Sequence, residues 1–341
     1  MSDAYKAAGV DVAAADELVG RIAGPVTDTW GPDVVGGFGG FAAGMRIPAG
    51  YRNPVLMLST DGVGTKLDLA RRSGRWDGVG HDLVAMCVDD LAAVGAAPVG
   101  FVDYLAVGAL DPSRDEAIVR SVAAACAEAG CALVGGETAE HPGVVDPDHV
   151  DLAGTALGVV EESDVLGPDR VSDGDLIIGV ESPNLRSNGF SLVRKILADH
   201  GLGLDDEFPD GSGRSVAETV TEPSVIYSPA AIDAAASGGV KAFCHVTGGG
   251  LPGNLPRILP DGIGAEVDTG SWERPSVFRT MVELAGLTDA DAYGTFNMGL
   301  GFLAVIDSSV EGEVAAAFAE AGHRATVVGT TRSGLEGLSL L

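Results

Sequence analysis

The chain reads as an α/β or α+β protein of two domains, on three observations. Its 341 residues are about two domain lengths at ~150 residues each, and an apolar content of 46% supplies a core for both. Strand and helix signals alternate along each half, the pattern of layered sheets and helices. A polar break at 161–173, EESDVLGPDRVSD with Gly167-Pro168 at its centre, separates the halves. The boundary is placed between 166 and 167, giving domains 1–166 and 167–341. No repeat of 20–50 residues is visible, which excludes solenoids and propellers.

In the first half, apolar or β-branched runs predict strands at Pro54–Thr60, Val99–Val107, Ala132–Val134 and Leu152–Val160. Helical patterns follow Lys66 and fill Asp82–Val94 and Arg114–Ala129. The last has a capping-box start, Ser113 with Glu116 three residues on. Its apolar face is Ile118, Val122, Ala125, Cys126 and Ala129, and Gly130 ends it. In the second half, strand signals fall at Asp175–Val180, Ala242–Val246, Gly301–Ile306 and Thr326–Gly329. Helical patterns follow Ser187, Pro275 and Ser309.

Composition excludes several classes of function. Lys+Arg is 21 against Asp+Glu 49, a net charge of −28. With no basic cluster there is no footprint for nucleic acid. No run approaches the ~18 apolar residues of a membrane span, and the acidic first twenty residues do not resemble an export signal, so the expected location is cytoplasmic. Dense carboxylates with only four lysines (Lys6, Lys66, Lys195 and Lys241) suit a salt-rich, halophilic cytoplasm, where repulsion is screened; an ordinary acidic enzyme is the plainer reading. Cys87, Cys126, Cys131 and Cys244 form no C-x-x-C pair and read as small buried hydrophobes.

The strongest local signal is VLMLSTDGVGTKLDLA at 55–70, a buried-type strand leading through a glycine loop into a helix. Glycines at 62 and 64 let backbone N–H groups approach an anion, the helix N-terminus favours negative charge, and Lys66 offers a cation. Asp61 could hold a divalent ion against the same phosphates. The spacing is not that of a Walker A loop, and a plain glycine turn is the alternative.

Two further acids stand out. In LVAMCVDDLAAV at 83–94, Asp90 falls on the apolar face of Leu83, Met86, Cys87 and Val94, whereas Asp89 is rotated toward Ala85 and Ala93. A carboxylate on a packed face is costly unless paired or bound to metal; an acid at a solvated helix end is the alternative. Glu137 follows a strand in Gly135-Gly136-Glu137, at the rim where α/β sites gather. Asp61, Asp90 and Glu137 are oxygen donors with no histidine cluster nearby, which points to Mg²⁺ with ATP rather than to zinc or iron. The second half offers Ser187-Asn188-Gly189 and His245-Val246-Thr247-Gly248-Gly249-Gly250 at two strand-to-helix junctions, each rich in donors for a small anion. Helix capping and a tight turn are the alternatives. His245 is either a core histidine or an acid/base group.

Taken in order, Tyr5–Asp11, Gly36–Gly40, Ser59–Lys66, Asp82–Leu91, Leu133–Glu140, Ser187–Leu197, His245–Pro260 and Thr295–Gly299 closely resemble the phosphoribosylformylglycinamidine cyclo-ligase family, the aminoimidazole ribonucleotide synthetases. The resemblance spans about Tyr5 to Gly329. It implies ATP-dependent ring closure of formylglycinamidine ribonucleotide, with ADP and phosphate as co-products. It also implies a homodimer in which N-terminal strands of two protomers close one shared barrel, beside a C-terminal α/β domain. The N-terminal domain is then the ATP-binding and dimerisation domain and the C-terminal one carries the substrate site.

Carried over by position, Asp61, Gly62, Val63, Gly64, Thr65 and Lys66 correspond to the triphosphate loop. Asp61, Asp90 and Glu137 correspond to ligands of Mg²⁺. Ser187, Asn188, Gly189, Thr247, Gly248 and Gly249 correspond to substrate contacts, with Lys66 and His245 as the catalytic pair. Gly36–Gly40 is expected to cover the nucleotide.

The chain departs from the family pattern at Arg186, where many members carry His, at Asp89, where Asn is common, and at Pro223–Tyr227, which lacks an arginine often found there. Selenophosphate synthetase is disfavoured because no cysteine precedes Cys87. The amidine synthetase of the preceding step and a nucleotide-sensing dimer without turnover are the competing readings.

Overall fold

The computed structural model describes residues 12–341. The Tyr5–Asp11 motif lies outside the described residues.

The first half is one four-stranded sheet with helices on one face. After α1 (Val12–Thr27) and the two-residue strands β1 (Val34–Val35) and β2 (Gly44–Met45), the chain forms β3 (Pro54–Gly62), α2 (Lys66–Ser73) and α3 (Val79–Ala93). Then come β4 (Ala97–Val107), α4 (Pro112–Glu128), β5 (Ala132–Glu140) and β6 (Val150–Glu161). The sheet order is β3-β6-β4-β5, antiparallel except for the parallel β4–β5 pair joined by α4. That parallel pair follows from the crossover, because a hairpin cannot join parallel strands. Helices α3 and α4 touch at backbone distance: a Cβ on Gly80 would lie 2.1 Å from the Val122 nitrogen.

The second half is a six-stranded sheet, order β12-β9-β11-β7-β10-β8. Its elements are β7 (Leu176–Glu181), α5 (Phe190–Asp199), α6 (Ser228–Ala235), β8 (Val240–His245), β9 (Ile263–Val267) and α7 (Ser276–Ala285). They end with β10 (Leu300–Ile306), α8 (Glu311–Glu320), β11 (Ala325–Ser333) and β12 (Leu338–Leu340). All pairs are antiparallel except β9–β12. The central strand β10 is buried at every position, as its continuous apolar run LGFLAVI requires.

The architecture is thus two mixed α/β layers, and several local expectations are corrected. Helix α4 is capped not by Ser113 but by Asp111, whose carboxylate accepts from the Ser113 and Arg114 nitrogens, with Pro112 as the first helical residue. Glu116 pairs instead with Arg21 and Arg120. Strand β5 runs six residues past Val134, since edge pairing with β4 carries the polar GGETAE segment. Strands β9 and β12 and helix α6 lie outside the elements the apolar runs predict; β9 and β12 alternate apolar and polar residues over only five and three positions.

Helix α3 is wedged between the two halves. It packs on the first sheet and α4, and also on α6 and β8 of the second half. Ala92 and Leu166 belong to a core shared with Ile178, Tyr227, Phe243 and Phe302. At the junction, the Leu166 nitrogen donates to the Val94 carbonyl and the Gly167 nitrogen to the Lys241 carbonyl. No helix among the described residues is long and apolar enough to cross a membrane.

Candidate functional site

The expected site residues fall into two groups, and the register of the first sheet separates them. Asp61 pairs with Gly154, Gly154 with Asp103, and Asp103 with Gly136. Residues directly opposite share a face, so Asp61 lies on the side covered by α3, where Gly154 meets Phe101 and Leu83. Glu137 pairs with Tyr104, one position on, and so lies on the opposite, open face. Strands β3 and β5 are also the two edges of the sheet, about 14 Å apart across three strand spacings.

Asp61, Asp90 and Glu137 therefore do not meet within one chain. Among the described residues no group of three or more His, Cys, Asp or Glu side chains could hold a metal ion. A linear sequence does not tell on which face of the sheet each rim acid stands. Of the three, Asp61 and Asp90 lie on the same side of the sheet: Ser59, two residues before Asp61 and on the same face, approaches the Asp90 Oδ2 at 3.3 Å.

Asp89 and Asp90 exchange the roles that helix periodicity gave them. Asp89 is fully buried and Asp90 is 47% exposed. The apparent outer face of α3 is covered by the second half, so the side that reads as solvated is the domain junction. There the Asp89 Oδ1 accepts from the Tyr227 and Ser228 nitrogens at 2.8 and 2.9 Å. Its Oδ2 accepts from the Arg186 Nη2 at 2.6 Å. Asp90 takes a 2.9 Å hydrogen bond from His245 Nδ1. Burial alone would raise the Asp90 pKa, but the His245 hydrogen bond and charge, with Ser59 and Arg257, hold it below the usual value. The His245 Nε2 is buried without a hydrogen-bond partner, 3.9 Å from Asp89 Oδ2.

Lys66 also departs from expectation. Its side chain turns away from the open side of the glycine loop and is buried at the junction. The ammonium donates to Asp82 Oδ1 at 2.7 Å, to the Arg186 carbonyl at 2.8 Å and to the Glu222 carbonyl at 2.7 Å. All three N–H bonds are thereby used. Burial pulls the Lys66 pKa down, with Asp82 opposing it. Asp82 Oδ1 accepts in addition from the Ser224 nitrogen and hydroxyl, at 2.9 and 2.6 Å.

The loop itself has the expected form. Gly62 N–H donates to Asp61 Oδ1 at 2.7 Å, Val63 is buried, and Gly64 has φ +71° with open space where a Cβ would stand. It abuts the second-half loop: Ser187 Oγ donates to the Val63 carbonyl at 2.9 Å, and the Thr65 and Ser191 hydroxyls lie 3.3 Å apart. Arg186, just before Ser187, holds φ +57°. Asn188 Oδ1 is buried without a partner. Gly189, also left-handed, starts α5.

On the far side of the junction, a cavity of about 410 Å³ is lined by Ser59, Asp90, His245, Asn254 and Arg257 among others. Asn254, missed in the sequence, ties the Thr247–Gly249 turn together: its Nδ2 donates to the carbonyls of Thr247, Gly248 and Gly250, and its Oδ1 accepts from Arg257. Gly248 and Gly249 stay exposed. The signal available was an asparagine four residues past a triple glycine.

The Gly36–Gly40 segment lies elsewhere. Gly37–Gly40 roof a second cavity of about 410 Å³ with Leu18, Ile22, Asp103, Gly136 and Glu137, on the β5 side of the sheet. Asp103, also unforeseen, is buried there, and burial pushes its pKa up to about 7. Gly136 makes room for it, because a Cβ there would come within 2.2 Å of Asp103 Oδ1.

Comparison with known proteins fits this geometry. Residues 42–160 match the family model "AIR synthase related protein, N-terminal domain" and residues 172–337 the corresponding C-terminal domain. The phosphoribosylformylglycinamidine cyclo-ligase of Sorangium cellulosum (strain So ce56) is 48% identical over 332 residues, 96% of this chain and 95% of the relative. That of Synechococcus sp. (strain CC9605) is 43% identical over 98% of this chain and 96% of the relative. Among solved structures, thiamine-monophosphate kinase from Stenotrophomonas maltophilia K279a superposes with TM-score 0.71 at 20% identity, covering 97% of this chain and 96% of that one. The hydrogenase maturation protein HypE, solved in complex with ATP, gives 0.68 at 18% identity, over 96% and 91%. These last two share the fold.

Proposed function

The chain belongs to the phosphoribosylformylglycinamidine cyclo-ligases of the AIR synthase related family, and from that premise we propose how its residues carry the reaction. The activity is the ATP-dependent cyclisation of formylglycinamidine ribonucleotide to aminoimidazole ribonucleotide, with ADP and phosphate released, a step of purine biosynthesis. The observation that carries the site assignment is the convergence of the Asp61–Thr65 loop, the Asp90–His245 pair and the Ser187–Gly189 loop on one domain junction.

An amide oxygen is a poor leaving group. ATP therefore phosphorylates the formyl oxygen first; the ribose-bearing nitrogen of the amidine then attacks the formyl carbon, and the C–O bond breaks to release phosphate. The protein's part is positioning and charge stabilisation. Gly62–Thr65 present backbone N–H groups to phosphate, and Asn188, with its unpartnered Oδ1, accepts from an N–H or O–H of the substrate. His245, oriented by Asp90 through Nδ1, has Nε2 free to take the proton that ring closure releases. Thr247–Gly249 complete the substrate contacts. Lys66 joins Asp82 and the Arg186 carbonyl, and so positions the two loops rather than touching phosphate.

Bound with ATP, Mg²⁺ would supply charge neutralisation for the transferring group. Asp61 is the carboxylate of this junction that fits it, because Asp90 is engaged by His245; a three-acid cage with Glu137 does not form in one chain.

The homodimer rests on the open face of the first sheet. Leu56, Leu58, Val102 and Tyr104 stand 40–72% exposed there, an apolar face that a second copy buries by closing the barrel. In this reading 1–166 serves ATP binding and dimerisation and 167–341 the substrate, in a salt-rich cytoplasm.

The deciding assay supplies purified protein with formylglycinamidine ribonucleotide, ATP and Mg²⁺ at low and high KCl, and scores aminoimidazole ribonucleotide and ADP. Equal yields of both are expected. ADP without imidazole overturns the substrate, and neither product at any salt overturns the enzyme.

A further inference from the structure

Lys66 leaves the open side of the glycine loop without the cation its sequence offered, yet that side is not bare. A cavity of about 390 Å³ is lined there by Gly64, Thr65, Asp68, Arg71, His149 and Arg194 among others. Arg71 lies on α2, directly after the loop, and Arg194 on α5, directly after Ser187–Gly189, so each candidate loop feeds an arginine into the same space.

Their present partners are few. Arg71 donates to Asp68 Oδ1 at 2.8 Å and to Asp148 Oδ2 at 2.5 Å. Arg194 Nε stands 3.0 Å from Asp68 Oδ2 without hydrogen-bond alignment, and Arg72 is 3.8 Å from the same carboxylate. Three guanidinium groups thus surround one carboxylate in a chain of net charge −28. Asp151 also lines the cavity, and Asp148, outside the lining, pairs with Arg71. A planar guanidinium fork matches a phosphate face, and the paired hydroxyls of Thr65 and Ser191 add neutral donors beside it.

We propose that Arg194, supported by Arg71, is the phosphate-recognising group of this cavity, taking a phosphate of one of the two phosphorylated ligands, the ribonucleotide 5′-phosphate or the ATP chain. This deepens the function proposed above and rests on it.

The test measures equilibrium dissociation constants of wild type, R194A and R194K for ATP and, separately, for formylglycinamidine ribonucleotide, with melting temperatures alongside. R194A is expected to weaken one ligand roughly 10- to 100-fold and leave the other within about two-fold, with R194K between; the weakened ligand names the phosphate. No change in either constant overturns the proposal. So does equal loss of both at an unchanged melting temperature, which marks a collapsed loop. R194K, which keeps the charge, decides if R194A does not fold. Failure of wild type to form aminoimidazole ribonucleotide, with ATP binding still dependent on Arg194, overturns the functional reading and not this site.

Discussion

Arg186 and Asp89 form a buried ion pair, Nη2 to Oδ2 at 2.6 Å, between the loop that precedes α5 and the helix that underlies the first sheet. They are also two of the positions where the resemblance implies other residues, His and Asn, and here those two positions are partners in space. Neither group has water to fall back on. The guanidinium also donates to the Val225 and Gly301 carbonyls and lies over the Tyr227 ring at 4.9 Å. The pair fixes the chain at the residue before Ser187.

Removing one member leaves the other charged and buried, a loss of about 3–5 kcal/mol. D89N and R186H are each expected to lower stability in urea by that order and to reduce kcat. The double variant D89N/R186H, with a neutral amide and a smaller imidazole, is expected to recover more than half of the loss. A double variant no better than the sum of the singles shows that the two residues are uncoupled.

The Lys66–Asp82 pair predicts a different signature. K66M empties the ammonium site between Asp82, Arg186 and Glu222 and strands the Asp82 carboxylate. Melting temperature and kcat are expected to fall while KM for ATP stays within about two-fold, because no N–H of Lys66 is spare for phosphate. A rise in the KM for ATP alone places the ammonium on the nucleotide.

Much of this was legible in the sequence, and the limit is physical. The strand–loop–helix at 55–70 and the glycine and histidine junctions at 187 and 245 are set by local chemistry, and they appear where periodicity puts them. What a linear pattern lacks is the second surface of a helix. Asp90 reads as the acid on the packed face and Asp89 as the one rotated off it because the apolar stripe of α3 marks only its sheet side; the domain packed on the other side buries Asp89. The buried setting of Lys66 is hidden from the sequence for the same reason, its acceptors lying 16, 120 and 156 residues away in the chain. Asp103 carries no local signal at all, since an acid inside an alternating strand is ordinary until its face is known.

Asp103 predicts a pH dependence of stability. Burial raises its pKa from 3.8 to about 7 in the folded chain. The folded state therefore holds the proton more tightly than the unfolded state. The stability this contributes is full below about pH 4, falls as pH rises, and is gone above about 7, a span of up to about 4 kcal/mol. D103N cannot ionise. The stability difference between D103N and wild type is expected to move in favour of D103N from pH 4 to pH 8, measured by urea unfolding in high KCl. A flat difference shows that Asp103 is ionised in the folded protein.

The charge of −28 predicts a salt response. Raising KCl from 0.1 to 2 M shortens the Debye length from ~10 Å to below ~3 Å, which relieves self-repulsion. Melting temperature and dimer fraction are expected to rise together. A protein equally stable at both salt levels is an acidic enzyme of ordinary surroundings.

The separation of Asp61 from Glu137 makes the last prediction. The two acids stand on opposite edges and opposite faces of one sheet. Both can serve a single catalytic site only if Glu137 comes from one protomer and Asp61 from the other. D61A and E137A homodimers are then each inactive, but a mixed dimer carries one site with both defects and one with neither. Dissociating and remixing equal amounts is expected to restore about a quarter of wild-type activity, since half the dimers are mixed and each has one intact site of two. If both acids serve the site of their own chain, each site of the mixed dimer keeps one defect and no activity returns. An active E137A homodimer removes Glu137 from the chemistry altogether, leaving it as part of the wall of the cavity that Gly37–Gly40 also line.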